Sequence, residues 1–260
     1  MSLIDATPHQ FRLECRSQNY KGQTSGFSPG YAQANLVILP KLYAFDFLLF
    51  CQRNPKPCPL LEVLEPGIYA FGNDIDVRTD LPKYRVYTDG VLINEIHDIS
   101  DIWSEDFVTF VIGCSFSFED ALVRRGLKIR HIEMDKEKTV PMYRTNVPCK
   151  EAGIFKGNLV VSMRPFAPQD AILATQITSR FPKVHGAPVH IGNPSDIGIM
   201  DISKPDFGDS VYINPGEIPV FWACGVTPQA VVMESRPSIC ITHAPGHMLI
   251  LDSTNESLSM

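Results

Sequence analysis

A mixed α/β protein is what this sequence predicts, on three observations. Short apolar runs bounded by turn residues read as strands, and they alternate with longer segments such as PQDAILATQITSRF that read as helices. Two alternating runs, KYRVY and VLINEI, flank Asp89-Gly90, the strongest short-range hairpin signal in the chain. The 21 prolines and 17 glycines are spread as turn punctuation and form no linker. Strands alternating with helices, with hairpins added, make a mixed α/β fold.

The elements follow in order. YAQANLVIL reads as a helix stopped at Pro40, and KLYAFDFLLFCQ as a helix stopped before Asn54-Pro55, both apolar on most faces and therefore buried. After the hairpin, SEDFVTFVIG reads as a helix with Ser104 as N-cap and Gly113 as its stop. Ser117 and Asp120 fit a capping box for the short helix FEDALVRR, ended by Gly126. LKIRHIEM, VPMYRTNV and GNLVVSMRP read as strands, followed by the helix of PQDAILATQITSRF with Pro168 at its start. The last third gives strands at PVHIG, IPVFWAC, SICIT and HMLILD, with TPQAVVMES as a helix. No repeat period is visible.

At 260 residues the chain buries a core without staples. It is treated as one unit, 1–260, with a smaller lobe from the middle of the chain, about residues 85–165, as the alternative division. Twenty-three basic against 29 acidic residues give a net charge of −6 with no basic run, which disfavours nucleic acid and anionic membranes as partners. MSLIDATPHQFRLE lacks a basic segment followed by an apolar one, so a cytoplasmic location is expected. The longest charge-free apolar stretch, FVTFVIGCSFSF, falls short of the roughly 18 residues of a membrane span. Cysteines 15, 51, 58, 114, 149, 224 and 240 are odd in number and lack CxxC spacing, so reduced thiols are expected and a zinc ribbon is not.

Chemistry concentrates at strand-to-helix turns. In IPVFWACGVTPQAVV an apolar run ends at Cys224, turns, and starts a helix with Thr227 as N-cap and Pro228 at the first helical position. Such a helix start attracts an anion and lowers a neighbouring thiol's pKa; the alternative is that Cys224 is simply a buried strand residue. IGCSFSFEDAL repeats the logic, with Cys114 just ahead of Ser117 and Glu119 in the first turn, although capping alone explains Ser117. Arg164 follows the run LVVSM, where a guanidinium at a strand's end can clamp a carboxylate; Arg144 and Arg78 are further candidates, and each of the three can equally be a structural ion pair. His185 and His190, with His243 and His247, sit in two Gly/Pro turns. Their H-x4-H and H-x3-H spacings do not match a helical zinc pattern, so no cofactor is expected, with a divalent metal on these four as the open alternative. His243, at the end of SICIT, is the preferred acid-base group facing the crevice.

GYAQANLVILP, AFDFLLFCQRNPKPCPLLEV, RTDLPKYRVY, GCSFSFE, VPMYRTN, GNLVVSMRP, HGAPVHIG, KPDFGD, PVFWACGVTPQ and THAPGHM, in order from about residue 10 to residue 252, closely resemble the bacterial putative hydro-lyase family, to which D-glutamate cyclase also belongs. The DKEKT stretch before VPMYRTN looks variable. The resemblance implies a three-layer lobe with a smaller two-layer α+β lobe, and closure of D-glutamate to 5-oxo-D-proline with loss of water. On that reading Arg164, with Arg144 second, holds the α-carboxylate. Glu119 or His243 is the base, Cys114 near Ser117 meets the γ-carboxyl group, and Cys224 with Thr227 forms a second anion-binding turn. Two other functions use the same residues. One is a cofactor-independent racemase or hydroxy-acid dehydratase with Cys114 and Cys224 as an acid-base pair, and the other is a sensor of small carboxylates. The expected partner is a small amino or hydroxy acid, and homo-oligomerisation stays open.

Overall fold

The computed structural model describes residues 3–135 and 138–260, so Lys136 and Glu137 of the DKEKT stretch lie outside it. Its elements in chain order are α1 (Pro8–Arg16), β1 (Tyr31–Pro40), α2 (Lys41–Arg53), β2 (Leu60–Leu64), β3 (Ala70–Phe71), β4 (Ile75–Asp76), β5 (Tyr84–Thr88), β6 (Val91–Ile96), β7 (Phe107–Gly113), α3 (Phe116–Arg124), α4 (Arg130–Met134), β8 (Met142–Pro148), β9 (Asn158–Phe166), α5 (Pro168–Thr178), β10 (His190–Ile191), β11 (Ile218–Ala223), α6 (Val226–Ser235), β12 (Cys240–His243) and β13 (Leu249–Thr254). The mixed α/β class follows directly. No helix among the described residues is long and apolar enough to cross a membrane.

Three segments depart from the sequence reading. YAQANLVIL and the end of SEDFVTFVIG are strands β1 and β7, paired antiparallel from Ala34↔Gly113 to Pro40↔Phe107. Both are buried along nearly their whole length at the centre of a sheet, and a strand covered on two faces loses the alternation that separates it from a buried helix. Ser104 accordingly caps a turn, accepting the Asp106 N–H at 3.2 Å. LKIRHIEM contains the helix α4, because the adjacent Arg130 and His131 both point inward, which a strand's alternation forbids.

The β5–β6 hairpin forms as read. Asp89 and Gly90 both adopt left-handed backbone, with φ of 50° and 78°, as a two-residue turn matched to strand twist requires. A Cβ on Gly90 would lie 2.3 Å from the Met233 carbonyl oxygen, which belongs to helix α6. Gly90→Ala is therefore expected to cost about 2 kcal/mol or more, from positive φ plus the clash, as read by urea denaturation.

Two sheets carry the fold. The larger runs β2-β7-β1-β12-β5-β6, with β13 also on β1, and the smaller runs β10-β11-β9-β8. Val37 and Phe110 from the first, with Phe47 of α2, share one core with Val161, Met163 and Phe221 from the second.

The smaller sheet repeats the first four strands of the larger. β1 leads into α2 and β9 into α5; β7 leads into α3 through Cys114-Ser115, and β11 into α6 through Cys224-Gly225. Helix α3 packs on β1 and α6 packs on β9. The strand after α3, β8, crosses to pair with β9, while the strand after α6, β12, crosses to pair with β1. The chain is thus two similar halves that exchange one strand. The halves share almost no residue identities, so no period shows in the sequence.

Candidate active site

The two strand-to-helix turns meet at one cavity of about 30 Å³. It is lined by Cys114, Ser115 and Phe116 from one turn and by Cys224, Gly225 and Val226 from the other, together with Asn35, Met142 and His243. Larger clefts of about 750 and 570 Å³ lie elsewhere, but neither is lined by a cysteine or a histidine. Chemistry therefore selects the small cavity over the large ones.

Each turn is fixed to a central strand by a hydroxyl in the first helical turn. Ser117 Oγ accepts the Gln33 N–H of β1 at 3.1 Å, and Thr227 Oγ1 accepts the Val160 N–H of β9 at 3.0 Å while donating to the Val160 carbonyl. Neither hydroxyl is a cap. The N-cap positions are Ser115 and Gly225, so Ser117 and Thr227 hold the turns in place and lie outside the cavity lining. Asp120 pairs with Arg124 at 3.0 Å instead of closing a capping box.

Both thiols are buried, and burial pushes Cys114 up to about 12 and Cys224 up to about 11. They are protonated hydrogen-bond donors at neutral pH. The Cys224 sulfur receives the Val226 N–H at 3.5 Å, and the Phe116 N–H acts likewise on Cys114. All seven cysteines are buried and unbonded.

Arg164 and Glu119 occupy a different place from the one expected. The Arg164 guanidinium donates to Glu119 Oε1 from Nε at 2.9 Å and again from Nη2, to Ser162 Oγ at 3.0 Å and to Ser115 Oγ at 3.2 Å. These partners occupy it behind the start of α3, and it is not among the residues lining the cavity. Glu119 is likewise outside the cavity lining and paired with Arg164. Burial pushes its carboxyl up, but Arg164 and His131, whose Nε2 lies 3.7 Å away, outweigh burial and hold it at about 2. Arg144 is exposed and stacks on Phe207, and Arg78 pairs with Asp76 and stacks on Tyr69; neither lines the cavity.

His243 does line it. The Leu36 N–H donates to His243 Nδ1 at 3.0 Å, and the Gln229 side-chain amide nitrogen lies 3.2 Å from Nε2. Burial lowers its pKa to about 3, so the ring is neutral and serves as a hydrogen-bond partner, not a proton acceptor of useful strength. The other three histidines are elsewhere: His185 bonds the Lys56 carbonyl, His190 the Asn193 carbonyl and His247 the Pro245 carbonyl, each at 2.8 Å. Among the described residues no group of three or more His, Cys, Asp or Glu is placed to hold a metal ion, and these four histidines do not gather at one site.

Asn35, Gly225 and Gln229 were not visible as site residues. Asn35 donates to the Gly113 carbonyl at 2.8 Å and lies against Gly225, tying the turns together. The parallel between GCSFSFE and ACGVTPQ, read as aligned turns, was the one signal that pointed to Gly225 and Gln229.

The buried neutral histidines predict acid sensitivity. Burial lowers His185 to about 4 as well, against an ordinary value of 6.5. Between pH 6.5 and about 4 the unfolded chain holds protons that the native state refuses, so stability is full above pH 6.5 and falls as pH drops. Each group contributes a slope of about 1.4 kcal/mol per pH unit. His243→Asn, which keeps an acceptor for Leu36, should remove one proton from the uptake measured by urea unfolding at stepped pH. An unchanged slope would mean that His243 titrates normally.

Comparison with known proteins adds a separate line. The profile of the family described as D-glutamate cyclase matches residues 108–252, which hold both cysteine turns and His243. A protein named putative hydro-lyase from Bordetella petrii is 59% identical over 98% of this chain and 97% of its own length. Another of that name from Bacillus subtilis is 57% identical over 97% of this chain and 99% of its own.

Proposed function

Since the chain belongs to the D-glutamate cyclase family, whose bacterial relatives are named hydro-lyases, we propose that its cavity closes D-glutamate to 5-oxo-D-proline with loss of water. The observation that supports this reading is the convergence of two helix starts on one cavity. Glutamate carries two carboxylates, and each helix N-terminus offers oriented N–H groups and a positive dipole end to one of them. One turn holds the α-carboxylate. The other polarises the γ-carboxyl group and stabilises the oxyanion formed when the α-amine attacks it.

Atoms balance without a cofactor. The ammonium loses two protons in becoming an amide N–H, and the departing oxygen takes both to leave as water. A thiol that burial keeps protonated is suited to relay a proton to that oxygen. Neutral His243 orients the amine by hydrogen bonding. The cavity holds about a water molecule's volume, so the turns separate to admit glutamate.

The test is to incubate the protein separately with D- and L-glutamate, with a chelator or with added divalent metal, and to quantify 5-oxoproline by chiral chromatography. Product from the D-form alone supports the reading. No product from either form, with folded protein, removes it.

A further inference from the structure

We propose that this cavity also exchanges and inverts the α-hydrogen of a small amino diacid, with the Cys114 and Cys224 thiols acting from opposite faces of the α-carbon. The inference rests on the duplicated architecture and stands apart from the cyclisation reading.

The duplication holds to the residue. In the first half Gly113, just before Cys114, pairs with Ala34 of β1; in the second Ala223, just before Cys224, pairs with Val161 of β9. The hydroxyl three residues after each cysteine then accepts an N–H from the central-strand residue one earlier, Gln33 for Ser117 and Val160 for Thr227. Helices of nine and ten residues start two positions after each cysteine. The turns therefore correspond without a register slip, and a cavity between two such units presents equivalent groups from opposite sides. Cys114 and Cys224 are those equivalents, and both line the cavity.

Burial of small hydrophobes accounts for cysteines 15, 51, 58, 149 and 240, none of which lines this cavity. It does not account for two thiols at matched positions lining one cavity. Facing acid-base groups are what inversion at carbon requires. In the reactive state one of the two thiols has given its proton to solvent; that thiolate takes the α-hydrogen as a proton and becomes a thiol, leaving the electron pair on the α-carbon and its carboxylate. The opposite thiol returns a proton to the other face and becomes the thiolate. No electrons leave the system, no co-reactant is used, and the two sulfurs exchange roles. The substrate's ammonium group supplies the nearby positive charge that a thiolate in a buried cavity needs.

The halves differ where orientation must be set. Ser115 faces Arg164 while Gly225 faces Asn35, and Glu119 in one half is Gln229 in the other, next to His243. Such asymmetry lets one wall bind the α-carboxylate and the other the side-chain carboxylate.

The experiment incubates the full chain in D₂O with D-glutamate, L-glutamate, D-aspartate or L-aspartate, and follows the α-hydrogen by NMR and the enantiomer ratio by chiral chromatography. Deuterium at the α-carbon and formation of the opposite hand are expected for at least one diacid. Cys114→Ser and Cys224→Ser should each slow inversion by roughly 100-fold or more, and each should keep exchange without inversion on the opposite hand from the other. Loss of a structural contact would not produce that reciprocal pattern. Absence of α-deuterium from all four substrates in folded protein overturns the proposal, as does exchange that both serine variants leave unchanged. Formation of 5-oxoproline with its α-hydrogen retained, and no exchange in recovered substrate, sinks this inference while leaving cyclisation standing; exchange without 5-oxoproline does the reverse.

Discussion

Arg164→Met is expected to destabilise the protein by about 3–5 kcal/mol, and Arg164→Met combined with Glu119→Leu to recover most of that loss. Arg164 and Glu119 are 1% and 4% exposed, and the guanidinium packs against the rings of Phe118 and Trp222, at 5.1 and 5.4 Å from their centroids. Removing the arginine alone strands a carboxylate in an apolar layer, which is the costly half of breaking a buried pair. Removing both leaves apolar side chains of similar volume. The pH dependence differs between the proteins. In the native chain Glu119 contributes stability above its ordinary value of 4.5, lost as pH falls from there toward about 2. In Arg164→Met only His131 is left against burial, so the carboxyl rises from its native value and the variant loses less stability than the parent as pH falls. Urea unfolding at pH 4 and pH 7 reads both effects, and a variant as stable as the parent at pH 7 would show that the pair contributes nothing. Ser115 also loses a donor at the start of α3, so turnover should fall with the single substitution and stay low in the double one.

How much was legible follows from what each signal encodes. Helix α2, the β5–β6 hairpin, β8, β9, α5, α6 and the closing strands were readable because Pro, Gly and Asp-Gly act locally. Strands β1 and β7 were not, since their place at a sheet centre is a tertiary fact and periodicity vanishes when both faces are buried. At the site, Cys114, Cys224 and His243 were legible as groups at strand-to-helix turns, which topology places at one crevice. Arg164 and Glu119 were visible as chemistry but not as a pair, because a sequence shows a charge and not its partner 45 positions away. Asn35 carried no signal at all: an asparagine inside a run read as helical gives no hint that it spans two turns from the middle of a sheet.

That asparagine makes Gly225→Ala the sharpest test of the site. Gly225 has φ of −65°, so the backbone accepts alanine and only space is at issue. A Cβ there would lie 2.2 Å from Asn35 Nδ2 and 2.5 Å from its Cγ. Asn35 has little room to yield. It is 4% exposed, its backbone is registered against Ile112, and its amide holds the Gly113 carbonyl next to Cys114. Either α6 moves away or the amide releases Gly113, and both outcomes pull the two helix starts out of alignment. Overpacking of this kind costs about 1–3 kcal/mol of stability. The larger effect falls on turnover, because misplacing a reacting group by an ångström costs roughly 100-fold. Asn35→Ala in the Gly225→Ala background should restore stability by relieving the overlap without restoring kcat/KM, since the link between the turns is then gone. Full kcat/KM in Gly225→Ala would mean that the reaction does not occur between these two turns, and would send the search to the larger clefts.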